Sequence, residues 1–242
     1  MPLVTVALQG HLAIITLDSG AGRNKLDAAL RSEFADAVQT AADTDDARVL
    51  IVTGANDVFA TGIERVPEGF APIGAASAIA SLSKPTVAWV DGECTDMGLE
   101  LALACDVRFA SDGSTFAMRG VQHATLPWDG GTQRLARAAG RGHALRMLLT
   151  GEVVAADEAL RIGLIESVGD AETLAEWAAR AAAGAPIAAA YTKEATASAG
   201  DLTLDQGMRL EADLSVLLQS TADRAEGLDA FAAKRKRQFE SR

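Results

Sequence analysis

The chain has 242 residues, 49% of them hydrophobic, enough for a sizeable core and a globular fold. A net charge of −11 and a pI near 4.7 leave no broad basic surface to neutralise phosphates, which argues against nucleic acid or an anionic membrane as the main partner. Two cysteines, Cys94 and Cys105, form neither a disulfide framework nor a metal pattern, and His11, His123 and His143 lack ligand spacing, so no metal is expected.

The N-terminal MPLVTVALQG has no signal-like character, and about eighteen uninterrupted apolar residues occur nowhere, so a soluble, cytoplasmic protein is expected. Val4 to Leu8 and Leu12 to Leu17 read as an antiparallel hairpin. Asp27 can cap a helix carrying Leu30, Phe34, Val38 and Ala41 at helical spacing, and Arg48 to Gly54 is a buried strand. Phe59 to Arg65 reads as loop, Ala75 to Ser83 as helix, Pro85 to Val90 as strand, Gly98 to Ala104 as helix and Val107 to Ala110 as strand. Short crossovers of this kind build a mostly parallel sheet. After Pro127 helices dominate: Gln133 to Ala139, Gly142 to Leu149, Ala155 to Ile162 and Glu172 to Ala183, with a strand at Leu164 to Val168. Residues 1–185 are read as the core. Residues 186–242 form a separable helical region, including an amphipathic Thr203 to Gln219 with Leu204, Met208, Glu211, Leu214 and Leu218 along one side, and a helix start at Ser220 to Asp223.

Three segments carry chemistry. Gly98-Leu99-Glu100-Leu101-Ala102-Leu103-Ala104 is an apolar helix with one charge just inside its start. Glu100 either complements the helix dipole or moves protons beside backbone N–H groups able to bind an oxyanion. Phe59-Ala60-Thr61-Gly62-Ile63-Glu64 is a glycine-bearing loop suited to presenting a backbone N–H, or a plain turn. Asp129, before Gly130, Gly131 and a helix, either caps that helix or aims a carboxylate into a pocket. Trp128 and His123 are further candidates for a pocket wall, with packing the plainer role for each.

Together these segments resemble the enoyl-CoA hydratase/isomerase (crotonase) superfamily over nearly the whole chain. The resemblance rests on Val52-Thr53-Gly54 with Phe59-Ala60-Thr61-Gly62, Lys84-Pro85, Glu100 to Asp106, Gly130-Gly131-Thr132-Gln133-Arg134-Leu135, Leu149-Thr150-Gly151, Glu226-Gly227, Ala230-Phe231 and Lys234-Arg235, all in the shared order. It implies an α/β spiral of ββα units with a C-terminal helical region, assembled as a homotrimer or dimer of trimers. It implies an acyl-CoA thioester as substrate, with coenzyme A as part of that substrate and no separate cofactor. The thioester carbonyl is expected between the backbone N–H groups of Ile63 and Met97, and Glu100 falls on the first catalytic glutamate of the hydratases. Lys25, Leu26, Ala60 and Gly62 are implied near the nucleotide and pantetheine, and Phe231 with Lys234 near the adenine, where part of the basic run Lys234 to Arg237 would meet phosphate.

Three departures qualify this. Arg119-Gly120 follow Phe116-Ala117-Met118 where hydratases carry a second glutamate, Asp96-Met97-Gly98 keeps one glycine of the family cluster, and Ile63 replaces a small residue. Two-glutamate water addition is therefore not expected, and Asp129 is the candidate second acid/base. Two alternatives are a non-catalytic acyl-CoA binding protein and a thioester hydrolase or dehalogenase-like enzyme with Asp129 as nucleophile.

Overall fold

The computed structural model describes residues 2–20, 23–62 and 74–240. Hairpin strands β1 (Val4–Gln9) and β2 (Leu12–Leu17) pair antiparallel, and Asp27 caps α1 (Ala28–Asp43) by accepting from the Leu30 N–H at 3.0 Å. Three ββα units follow: β3 (Val49–Gly54), β4 (Val58–Ala60) and α2 (Ala75–Ala80); β5 (Thr86–Val90), β6 (Glu93–Thr95) and α3 (Met97–Ala104); β7 (Val107–Ala110), β8 (Thr115–Ala117) and, after a 3-10 turn at Gly120–His123, α4 (Gly131–Thr150). The chain continues through β9 (Val154–Ala155), α5 (Ala156–Arg161), β10 (Ser167–Val168) and α6 (Ala171–Ala182), then α7 (Pro186–Ala197), α8 (Leu204–Leu218) and α9 (Ala222–Ala232).

Within each unit the first strand joins a six-stranded sheet, ordered β1-β2-β3-β5-β7-β10, and the second a four-stranded sheet, ordered β4-β6-β8-β9. The spiral of ββα units is therefore present. The large sheet is parallel from β2 onward and buried on both faces, as parallel sheets require. Strand alternation sends Leu50, Val52, Ala88 and Val90 to the main core, and Val49, Ile51, Val87 and Phe109 to a second cluster under α6. Trp177 of α6 meets Phe109 there, ring centres 5.6 Å apart.

Some readings shift. The loop expected from Phe59 begins within β4, and β6 and β8 lie where no strand was expected; each of these three strands is only three residues long. The Leu164 to Val168 strand shrinks to Ser167–Val168, because Leu164 and Ile165 instead close the turn after α5 through bonds to the Ala159 carbonyl. Helix α4 breaks at Gly140 (φ 79°), dividing it much as the two separate helical runs suggested. Lys84 caps the end of α1, its ammonium donating to the carbonyls of Ala42 at 2.7 Å and Thr44 at 2.8 Å, and desolvation lowers its pKa. Asp106 accepts from the Thr86 N–H at 2.7 Å and pairs with Lys193 at 2.9 Å. These two family motifs are structural fasteners.

Candidate active site

Helix α3 is buried throughout, which is why its sequence is nearly all apolar, and Glu100 is only 2% exposed. Its Oε1 accepts two backbone hydrogen bonds, from Asp129 N–H at 2.9 Å and Gly131 N–H at 2.8 Å. Its Oε2 makes none among the described residues. The two donors converge because Gly130 takes φ 98°, a region that glycine enters without steric cost. Gly131 has no room for a side chain, since a Cβ there would stand 2.8 Å from Glu100 Cγ. Burial pushes the Glu100 carboxyl up to about 7, against the lowering effect of the two N–H donors.

A cavity of about 20 Å³ adjoins this carboxyl, and Gly62, Asp96, Met97, Gly120, Leu126 and Trp128 are among the residues lining it. Asp96 precedes α3 at φ 53°, an unusual value outside glycine that aspartate tolerates better than most residues, at the position where the resemblance places a family glycine. Its Oδ1 accepts the Arg119 N–H at 2.5 Å, and Oδ2 lies 3.5 Å from Arg119 Nε. Burial raises its pKa, partly offset by Arg119. Arg119 also pairs with Glu93 at 3.1 Å, and Glu93 with Arg23. This chain of charges escaped the sequence reading because Asp96 and Arg119 stand 23 positions apart. Trp128 has its ring beneath the Arg31 guanidinium at 5.5 Å, and its buried Nε1–H has no hydrogen-bond partner among the described residues.

Asp129 goes elsewhere than expected. Its Oδ2 accepts from Ala76 N–H at 2.8 Å, and its Oδ1 from Ser77 N–H at 3.2 Å and Ser77 Oγ at 2.5 Å, so it caps α2 and not the helix that follows it. Helix α4 instead has Gly130 at its N-cap position and no side-chain cap. Asp129 thus approaches Glu100 through its backbone N–H, while its carboxylate faces another helix. Both oxygens are engaged, which corrects the expectation of an aspartate aimed at Glu100 or at a ligand.

Lys25, Leu26, Ala60, Gly62 and Met97 do come together. Lys25 bridges Thr61, Leu26 N–H donates to the Thr61 carbonyl at 2.9 Å, and a Cβ on Gly62 would lie 3.5 Å from Lys25 Cγ and 3.8 Å from Met97 Sδ. The buried amide of Asn24, another residue the sequence reading passed over, holds this crossing by donating to the Val58 carbonyl at 2.7 Å. Leu26 and Ala60 are fully buried, and neither lines the Glu100 cavity. The Met97 N–H donates to the Gly62 carbonyl at 3.0 Å, so in this structure it is paired within the protein. Ile63 lies outside the described residues. Phe231 is exposed at the end of α9 and Lys234 just beyond it, and neither lines the Glu100 cavity of its own chain.

A family profile described as enoyl-CoA hydratase/isomerase matches residues 71–242. The chain belongs to the enoyl-CoA hydratase/isomerase family. It is 33% identical to an (E)-benzylidenesuccinyl-CoA hydratase of Thauera aromatica, with 96% of each chain covered. A 2,3-dehydroadipyl-CoA hydratase of Escherichia coli K12 is 31% identical over the full length of both. Among solved structures, the enoyl-CoA hydratase of Bacillus anthracis superposes with a TM-score of 0.90 at 30% identity, covering 99% of this chain and 100% of that one. As a member of this family the protein is an enzyme of hydratase/isomerase type acting on acyl-CoA thioesters.

Proposed function

We propose that this enzyme adds water across the double bond of a 2-enoyl-CoA thioester using Glu100 as its single proton-moving carboxylate. The observation that carries this is the asymmetry of Glu100: Oε1 is fixed by two backbone donors, Oε2 has no partner among the described residues, and burial pushes the pKa up to about 7. Such a group can accept and return a proton at neutral pH without moving. Glu100 takes a proton from water as the oxygen bonds to the β carbon and the π electrons pass to the thioester oxygen. The protonated Glu100 then delivers that proton to the α carbon, and the carbonyl re-forms. The oxyanion is held by Ile63 and Met97 N–H, the thioester oxygen replacing the Gly62 carbonyl as acceptor at Met97. Lys25 and Gly62 flank the pantetheine. Phe231 and Lys234 reach the adenine end of a neighbouring subunit's site in a homotrimer or dimer of trimers.

The test is Glu100→Gln with a 2-enoyl-CoA, following loss of the conjugated thioester absorbance. Turnover is expected to fall about 10²- to 10⁴-fold while calorimetry shows saturated acyl-CoA binding retained. Unchanged turnover would overturn the mechanism.

Gly120 favours a second reading. With no carboxylate at that point of the wall, one carboxylate could instead carry a proton from the α to the γ carbon of a 3-enoyl-CoA. Product identification by NMR in deuterated water separates the two, since only hydration yields a 3-hydroxyacyl product.

A further inference from the structure

The wall of the cavity beside Glu100 includes four residues with polar side chains: Asp96, Glu100, Thr125 and Trp128. Two of their atoms are engaged within the protein, Asp96 Oδ1 by the Arg119 N–H and Thr125 Oγ1 by the Gly120 carbonyl at 3.2 Å. Asp96 Oδ2 lies against Arg119 Nε at 3.5 Å. Among the described residues this leaves the Glu100 Oε2 acceptor and the buried Trp128 Nε1–H donor. An indole N–H can only donate, and a buried donor left unmet is costly enough to call for an acceptor. The indole is also held in place. Arg31 stands over its ring, and the next residue, Asp129, is tied to Glu100 through its N–H and to α2 through its carboxylate. At about 20 Å³ the cavity has room for one water. Position 120, where the resemblance implies a second glutamate, is glycine and has no side chain to hold that water.

We propose that Trp128 is a catalytic residue for hydration, its Nε1–H donating to the oxygen of the attacking water while Glu100 Oε2 accepts one of that water's protons. This rests on the hydration reading of Glu100. One lone pair of the water receives the indole N–H, and the other forms the bond to the β carbon as the π electrons pass to the thioester oxygen. One proton goes to Glu100 and from there to the α carbon. The second O–H stays on the oxygen and becomes the product hydroxyl, to which the indole still donates. Trp128 therefore fixes the direction of attack from reactant to product. Because it cannot accept a proton, it does not compete with Glu100 as base. Water attack uses it, whereas proton movement at the α carbon does not.

Trp128→Phe keeps an aromatic ring and removes the N–H. Two rates are compared: hydration of a 2-enoyl-CoA, and exchange of the α protons of butyryl-CoA in deuterated water followed by NMR. The exchange uses Glu100 and the oxyanion donors but no attacking water. Hydration is expected to fall about tenfold to a hundredfold while exchange stays within about twofold. Should the variant not fold, a crystal structure of the parent enzyme is the second measurement, with a water expected within about 3.2 Å of both Trp128 Nε1 and Glu100 Oε2. Unchanged hydration in the variant would overturn the role of Trp128. So would an equal fall in both rates, which would mean that the ring only shapes the site, or a parent structure with no water shared by the two atoms. Each of these leaves the Glu100 reading standing provided Glu100→Gln loses both rates. Retention of both rates in Glu100→Gln would overturn both readings.

Discussion

Glu100 stores free energy in proportion to its displaced pKa. The folded chain binds its proton more tightly than the unfolded chain, so stability is fully present below pH 4.5 and is withdrawn as pH rises toward about 7. A displacement of this size corresponds to about 3 kcal/mol. Glu100→Gln keeps an oxygen for the two N–H donors and removes the charge, so its melting temperature should exceed the parent's at pH 8 and converge with it near pH 4.5. Thermal melts across that range check this, and a constant difference would contradict it. Turnover should move the opposite way, rising with pH through about 7 as the base form appears and levelling above, a profile read from kcat/KM against pH. The importance of Glu100 was legible because one charge stood in an apolar helix. The destination of Asp129 was not, since its acceptor role depends on Ala76 and Ser77, more than fifty positions away and identifiable only once the units pack.

Helix ends, more than helix bodies, organise the site. Glu100 lies in the first turn of α3 and accepts from the start of α4, while Asp129 caps α2. Asp129→Asn retains a capping oxygen and should keep turnover within tenfold, whereas Asp129→Ala should lose about 1–2 kcal/mol by urea denaturation. A loss of turnover in the Asn variant comparable to that in Glu100→Gln would instead restore Asp129 as a reacting group. Gly98→Ala should be more damaging to packing, because its Cβ would stand 1.9 Å from the Ala60 carbonyl oxygen, forcing α3 off β4. The expected loss is about 1–3 kcal/mol in a thermal melt. The long elements were readable from their periodicity. The strands β4, β6 and β8 were not, since Val58-Phe59-Ala60, Glu93-Cys94-Thr95 and Thr115-Phe116-Ala117 are too short to display an alternation and exist by pairing with one another. Helix α7 was overlooked for another reason: its small, Ala-rich sequence shows no clear apolar stripe, and its start is marked only by Pro186 in the first turn.

At the scale of the molecule, the C-terminal helices leave apolar surface uncovered. Leu204 is 81% and Met208 61% exposed one turn apart on α8, and Leu214 is the one buried residue of that helix. The proposed assembly predicts that the parent sediments as a multiple of 25.1 kDa and that Leu204→Glu with Met208→Glu shifts it toward a single chain. A single-chain mass in the parent would end that proposal. The segment from Pro127 to Gly131 has a different reach. It belongs to the third ββα unit, clamps the glutamate of the second and caps the helix of the first. A nascent or partly unfolded chain in which this segment is undocked leaves Glu100 without its two donors and α2 without its cap. Catalytic competence therefore arrives only when three successive units have closed on one another, and activity becomes a reporter of completed folding.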